Sequence, residues 1–202
     1  MLNRKAILGA ACLVPLMTLG ACVTSTGPVE VTRFHAEDKV ALLGRGSIAV
    51  EAAPGMEADS LELGTYRAAV GRELARLGYN EVPAGEGSQV AEVRIRRAIM
   101  SPVREGGPVS VGVGGSTGSY GSGVGVGVGI DLSGRPKDEV MTELAVVIRQ
   151  RLTGEPLWEG RAQFAVKAGA PLAETQLAAA HLAEALFVDF PGESGETIEV
   201  KQ

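Results

Sequence analysis

Two runs of alternating residues, Val140–Leu152 and Leu157–Val166, constrain the fold of this chain more than any other feature. In the first, Leu144, Val146 and Ile148 alternate with Glu143, Val147 and Arg149, the two-residue period of a strand with one face buried and one face wet. Thr153-Gly154-Glu155-Pro156 separates the runs with turn-forming residues, so the pair predicts an antiparallel hairpin. Its apolar face needs a cover, and the chain supplies two amphipathic candidates. From Ser60 to Leu77, the residues Leu63, Tyr66, Val70, Leu74 and Leu77 recur at spacings of three and four, while Arg67, Arg72, Glu73 and Arg76 fall mostly off that stripe. Asp59 or Ser60 suits the start of this helix, and Gly78 suits the left-handed residue after its last turn. A second helix is expected from Pro171, carrying Leu172, Ala179, Leu182, Ala183, Leu186 and Phe190 and stopping at Pro191-Gly192.

Val29–Phe34, Gly46–Ala52 and Ala91–Ile99 add further strand patterns. The expected fold class is α+β, an antiparallel β-sheet with two helices packed on one face and one long Gly/Val-rich hairpin. That hairpin is Gly106–Gly134, where 12 of the chain's 28 glycines fall. Val109, Val111 and Val113, then Val124, Val126, Val128 and Ile130, alternate with small residues, and Ser116–Ser122 is expected as the loop between them. The simplest reading places both runs in the domain's own sheet, valines toward the helices. A second reading leaves the segment unordered, because glycine loses the most entropy on ordering. A third gives the bare glycine face to a partner: Val124, Val126, Val128 and Ile130 are the candidate partner-contact residues, for a second copy of the chain, another envelope protein or an inserted hairpin.

The N-terminus has the zones of a secretory signal. Asn3, Arg4 and Lys5 are followed by an apolar run, Ala6–Leu19, whose 14 residues are too few for a permanent spanning helix, which needs ~20. Leu19-Gly20-Ala21-Cys22 then resembles the lipobox of bacterial lipoproteins. That resemblance implies cleavage between Ala21 and Cys22 and diacylglycerol on the Cys22 thiol; an ordinary signal peptide with a chance cysteine is the alternative. Two or three acyl chains anchor a protein stably where a single one is marginal. The expected organisation is a removed signal peptide (1–21), an acylated cysteine and flexible tether (22–30), an α+β domain (31–192) with the insertion at 106–134, and a polar, frayed tail (193–202). Cys12 would leave with the signal, so Cys22 is the last cysteine and the domain has none for a disulfide, a nucleophile or a thiolate metal site. Val23-Thr24 follows without an aspartate at the second position. By resemblance to enterobacterial lipoproteins this implies the outer membrane, with the domain facing the periplasm.

Charge narrows the partners. The signal takes Arg4 and Lys5 with it, so 19 basic residues fall to 17 against 24 acidic ones, a balance of −7. An acidic domain with 4% aromatic residues is a poor ligand for nucleic acid or for anionic lipid headgroups. Membrane attachment is therefore expected through lipid on Cys22.

Catalytic patterns are sparse. Gly114-Gly115-Ser116-Thr117-Gly118 fits the nucleophile elbow G-x-S-x-G, with Asp131 or Asp138 and then His181 following in order. The elbow requires a strand, a sharp turn and a helix, whereas more glycine and a second strand follow here. A lipid-tethered serine hydrolase using Ser116 and His181 is thus the alternative function. His181 and Glu184 lie one turn apart, but only His35 could join them, so no metal and no cofactor are expected. Neither G-x-G-x-x-G nor G-x-x-x-x-G-K-[ST] occurs. Trp158 is expected to pack against the last helix, with an exposed ligand platform as the lesser reading.

Four segments carry a family resemblance: Cys22 of the lipobox, Leu74-Ala75-Arg76-Leu77-Gly78-Tyr79, Leu152-Thr153-Gly154-Glu155-Pro156-Leu157-Trp158-Glu159-Gly160, and Phe190-Pro191. In these the chain resembles the DUF4136 lipoproteins, a bacterial envelope family defined by a domain of unknown function. The resemblance implies a fold and an envelope location and brings no catalytic residues. The leading expectation is a non-catalytic binding or scaffolding lipoprotein, with an auxiliary subunit of a transport or secretion complex as a further possibility.

Overall fold

The computed structural model describes residues 27–101 and 138–201, together with the backbone of 109–118 and 121–130. Cys22, Ala21 and the rest of the signal lie outside the described residues. The fold is mixed α+β. Its strands are β1 (Val29–His35), β2 (Ser47–Ala52), β3 (Asn80–Glu81), β4 (Gln89–Met100), β5 (Val109–Gly118), β6 (Gly121–Ile130), β7 (Glu139–Gln150), β8 (Pro156–Lys167) and β9 (Thr197–Val200), and its helices are α1 (Leu61–Arg76) and α2 (Thr175–Phe187). Short 3-10 turns at Glu37–Leu42 and Pro171–Ala173 complete the order.

Seven strands form one sheet in the order β3-β2-β4-β7-β8-β1-β9. At its centre is the expected hairpin, β7 antiparallel to β8 with Leu144 opposite Ala162 and Val146 opposite Gly160. The sheet is not antiparallel throughout. β2 runs parallel to both β3 and β4, because α1 carries the chain from the end of β2 back to the start of the next strand, and a crossover of this kind delivers parallel partners.

Both helices pack against the sheet. Leu63, Tyr66, Val70 and Leu74 of α1 and Leu182, Ala183, Leu186 and Phe187 of α2 join Val31, Val50, Val93, Leu144, Ile148 and Trp158 of the sheet in one buried cluster. Each fully buried Leu or Ile there contributes about 1.5–3 kcal/mol. The Ser60 hydroxyl accepts the Leu63 N–H at 3.4 Å to cap α1, and Gly78 takes φ +103° after its last turn.

Three further expectations are corrected. α2 begins at Thr175 and ends at Phe187, with Glu174 as its N-cap residue, so Leu172 and Phe190 flank the helix and pack on the core from either end. The tail does not fray throughout: β9 pairs antiparallel with β1, Val31 opposite Ile198, and the Thr32 and Thr197 hydroxyls meet at 2.8 Å. The Gly/Val segment is a hairpin but not part of the domain's sheet, since β5 and β6 form a separate two-stranded sheet. Its pairing runs to Gly118 opposite Gly121, so the expected loop at Ser116–Ser122 is mostly strand.

Candidate functional site

With one sheet face under the helices, the other is left to solvent, and its chemistry follows from the pleat. Alternate residues of β4, β7 and β8 turn outward, which brings Glu92, Arg94 and Arg96 into register with Val147, Ala145 and Glu143, and these with Glu159, Arg161 and Gln163. The result is a lattice of ion pairs, half-buried at Arg149 and Glu92 and exposed at Arg96, Glu159 and Arg161. Arg149 Nε donates to Glu92 Oε2 at 3.1 Å, Arg96 meets Glu143 at 3.7 Å, and Arg161 meets Glu159 at 3.6 Å. At the margin, Arg151 donates to Glu51 at 2.6 Å and the Gly85 N–H donates to the same carboxylate at 2.8 Å. Burial pushes the Glu51 carboxyl up, but these two donors outweigh it and hold its pKa below the usual range.

The centre of this face is a depression of about 270 Å³ floored by Ala145 and Val147. Four arginines (94, 96, 149, 161) and three glutamates (92, 143, 159) surround the floor. In an acidic chain this is a locally cationic spot. Arg94 and Arg161 flank Ala145 from the strands on either side of it; Arg94 donates to the Pro54 carbonyl at 2.8 Å, and Arg161 keeps Glu159 beside it. The arrangement can bind and orient; it holds no nucleophile beside a base. The sequence reading missed this surface. Its signal was the charge at every second residue of 92–96 and 159–161, but only the register shows which charges meet.

A larger groove of about 690 Å³ runs between the start of α1 and α2, lined by Asp59, Ser60, Gly64, Ala68, Arg72 and Gln176 among others. It gathers no comparable set of paired charges.

The sequence-derived candidates fall elsewhere. Ser116 lies inside β5 opposite Gly123, so the strand continues where an elbow would turn into a helix. His181 is on α2, its ring edge-on to Phe164 at 5.6 Å. His35 ends β1, with Nε2 3.2 Å from the Gly192 carbonyl. His35 pairs with Trp158 in the β1–β8 register, six residues along β8 from Phe164 and thus ~20 Å away by strand rise. The two imidazoles therefore serve opposite ends of the sheet. Among the described residues no three His, Cys, Asp or Glu side chains gather in a metal-binding group. Asp131 lies outside the described residues. Val124, Val126, Val128 and Ile130 occupy β6, opposite Gly115, Val113, Val111 and Val109.

The segments that carried the family resemblance have packing roles. Trp158 is buried, stacked on Phe187 at 5.4 Å and tilted against Phe190 at 5.2 Å. Its Nε1 donates to the Pro191 carbonyl at 3.0 Å. The ring lies over Gly160, where any Cβ would overlap it. Gly78 lets Gly44 approach, since a Cβ there would be 2.9 Å from the Gly44 carbonyl oxygen, and the buried Tyr79 donates to Gln89 at 3.3 Å. Beside Trp158, the buried Arg33 guanidinium donates to the Leu186 and Ala185 carbonyls at 3.1 and 3.2 Å, closing the C-terminus of α2. Burial lowers its pKa, with Asp189 and Glu196 opposing the shift.

No family model matches the chain. It is similar to an uncharacterized protein of Zymomonas mobilis, 29% identical over 222 aligned positions that cover 88% of this chain and 82% of the relative. Among solved structures it resembles a PDZ domain protein from Parabacteroides distasonis, with a TM-score of 0.51 and 10% identity over 86% of this chain. The chain spans 39% of the length of that protein, and the likeness shows the fold alone. A PelC dodecamer from Paraburkholderia phytofirmans overlaps 82% of this chain and 99% of its own at a TM-score of 0.43 and 10% identity.

Proposed function

We propose that this protein is a lipid-anchored lipoprotein of the bacterial outer membrane, related to the DUF4136 lipoproteins. Its periplasmic domain is a non-catalytic binding module that engages another envelope component. The finer architecture belongs to this reading: two helices close one sheet face so that the opposite face is free to bind. The observation that carries it is the charged depression, where four arginines outnumber three glutamates around a floor of Ala145 and Val147 and no nucleophile stands beside a base. The partner it suits is a protein surface or envelope polymer that is acidic at the centre of contact. Attachment is assigned to lipid on Cys22, supported by Leu19-Gly20-Ala21-Cys22 and the basic and apolar zones before it. Among the described residues no helix is long and apolar enough to cross a membrane.

The test is photocrosslinking in living cells from a benzophenone amino acid placed at Val147. A discrete adduct is expected, lost when Arg94 and Arg161 are both changed to Glu while thermal unfolding of the purified variant stays unchanged. No adduct from Val147 or Ala145, or one indifferent to the charge reversal, contradicts the reading.

A further inference from the structure

We propose that the β5–β6 hairpin inserts into the bilayer, and that hairpins from several copies of this chain close there into one β-barrel. The inference rests on the anchoring reading above, because lipid on Cys22 is what brings the hairpin to a membrane.

Length and composition fit. β5 and β6 are 10 residues each, matching the ~9–11 that cross a hydrocarbon core as a tilted strand. Residues 109–130 contain no Asp, Glu, Lys, Arg, His or Pro, so insertion desolvates no charge and breaks no ladder. The register fits as well. Val109 stands opposite Ile130, Val111 opposite Val128 and Val113 opposite Val126, while Gly112 and Gly114 stand opposite Gly127 and Gly125. Apart from Gly115 opposite Val124 and Thr117 opposite Ser122, larger residues thus share one set of register positions and glycine and serine the other, the alternation a barrel strand needs between lipid and lumen.

Position in the fold is the independent observation. The insertion leaves β4 at Met100 and returns at Glu139, which are paired, and Glu139 is paired in turn with Lys167 of β8. β1 enters beside this same end of β8, with Glu30 opposite Gln163. Cys22 precedes Val29 by seven residues, a tether of at most about 25 Å. The start of β1, which the tether leads into, and the two ends of the insertion therefore share one end of the sheet. There Ile99 is 70% exposed and Met100 42%, apolar residues placed to meet a bilayer surface.

Copies are required because, among the described residues, β5 and β6 pair only with each other. Each strand keeps one free edge, and unpaired backbone groups are not tolerated in hydrocarbon. β6 of one copy against β5 of the next satisfies both edges head to tail and closes as a ring. The smallest such barrels have ~8 strands, which sets a minimum of about four copies.

The experiment uses the acylated full chain in phosphatidylethanolamine–phosphatidylglycerol vesicles. An environment-sensitive fluorophore is attached to single cysteines replacing Gly125, Val126, Gly127 or Val128, with the Cys22 thiol blocked by its lipid. Blue-shifted emission is expected at 126 and 128 and aqueous emission at 125 and 127, together with amine crosslinks reaching tetramer or beyond. Val126→Asp with Val128→Asp should abolish those crosslinks while the protein still floats with the vesicles and unfolds at the same temperature. Floating protein with unpatterned emission, or patterned emission with crosslinks only to monomer, overturns the barrel. Failure of the acylated chain to float overturns the anchoring reading, and the barrel with it.

Discussion

Tyr66 is buried on α1, and among the described residues its hydroxyl has no hydrogen-bond partner. Burial, with Glu62 adding to it and Arg97 opposing, pushes its pKa up to about 12 from an ordinary value of 10.0. The charged form is the one disfavoured in the fold, so the stabilising contribution is complete below pH 10 and is lost as pH rises toward about 12. Two pH units correspond to at most about 2.7 kcal/mol. Tyr66→Phe is therefore expected to be neutral or stabilising by up to ~1 kcal/mol at pH 7, since it removes an unpaired buried hydroxyl, and to flatten the alkaline limb of a denaturation series. Loss of 2 kcal/mol at neutral pH, or an unchanged alkaline limb, would refute this. The stripe containing Tyr66 was legible from spacing alone; its orphaned hydroxyl was not, because nothing local says whether a partner lies across the core. Trp158 teaches the same lesson. Its packing toward α2 follows from the sequence, but the need for Gly160 beneath the ring appears only with the ring's direction.

At the scale of elements, strong periodicity carried through to structure and weak periodicity did not. β7, β8 and α1 stand within a few residues of their sequence limits because each has a long apolar face to bury. β9 was missed: Ile198 and Val200 are only two apolar positions in a polar tail, and what stabilises them is the edge of β1. The parallel β2–β4 pair was missed for another reason. The strand–helix–strand order that imposes it was visible in the sequence, but the neighbouring hairpins suggested an antiparallel sheet throughout. Deleting residues 197–202 is expected to cost about 2 kcal/mol, roughly the burial of one apolar side chain with its ladder bonds, and to promote self-association through the exposed β1 edge. Urea denaturation and light scattering read the two effects; a truncated chain with unchanged midpoint and no added scatter would contradict the assignment.

At the level of the whole molecule, the proposed roles divide between the ends and faces of one sheet. Under the proposed reading, the helices close one face, the ion-paired face binds, and the start of β1 and the ends of the Gly/Val insertion meet at one end. The architecture was largely legible because burial patterns are local. The open-face site was not, because Arg94, Ala145 and Arg161 come from three strands and meet only through register. Under the proposed reading, lipid on Cys22 sets where every other surface works. Metabolic labelling with palmitate, followed by electrophoresis of the full chain and of Cys22→Ala, tests it most directly. A labelled, processed wild-type protein and an unlabelled Cys22→Ala precursor are expected; a Cys22→Ala chain processed to the mature size, or an unlabelled wild type, would overturn the lipid assignment.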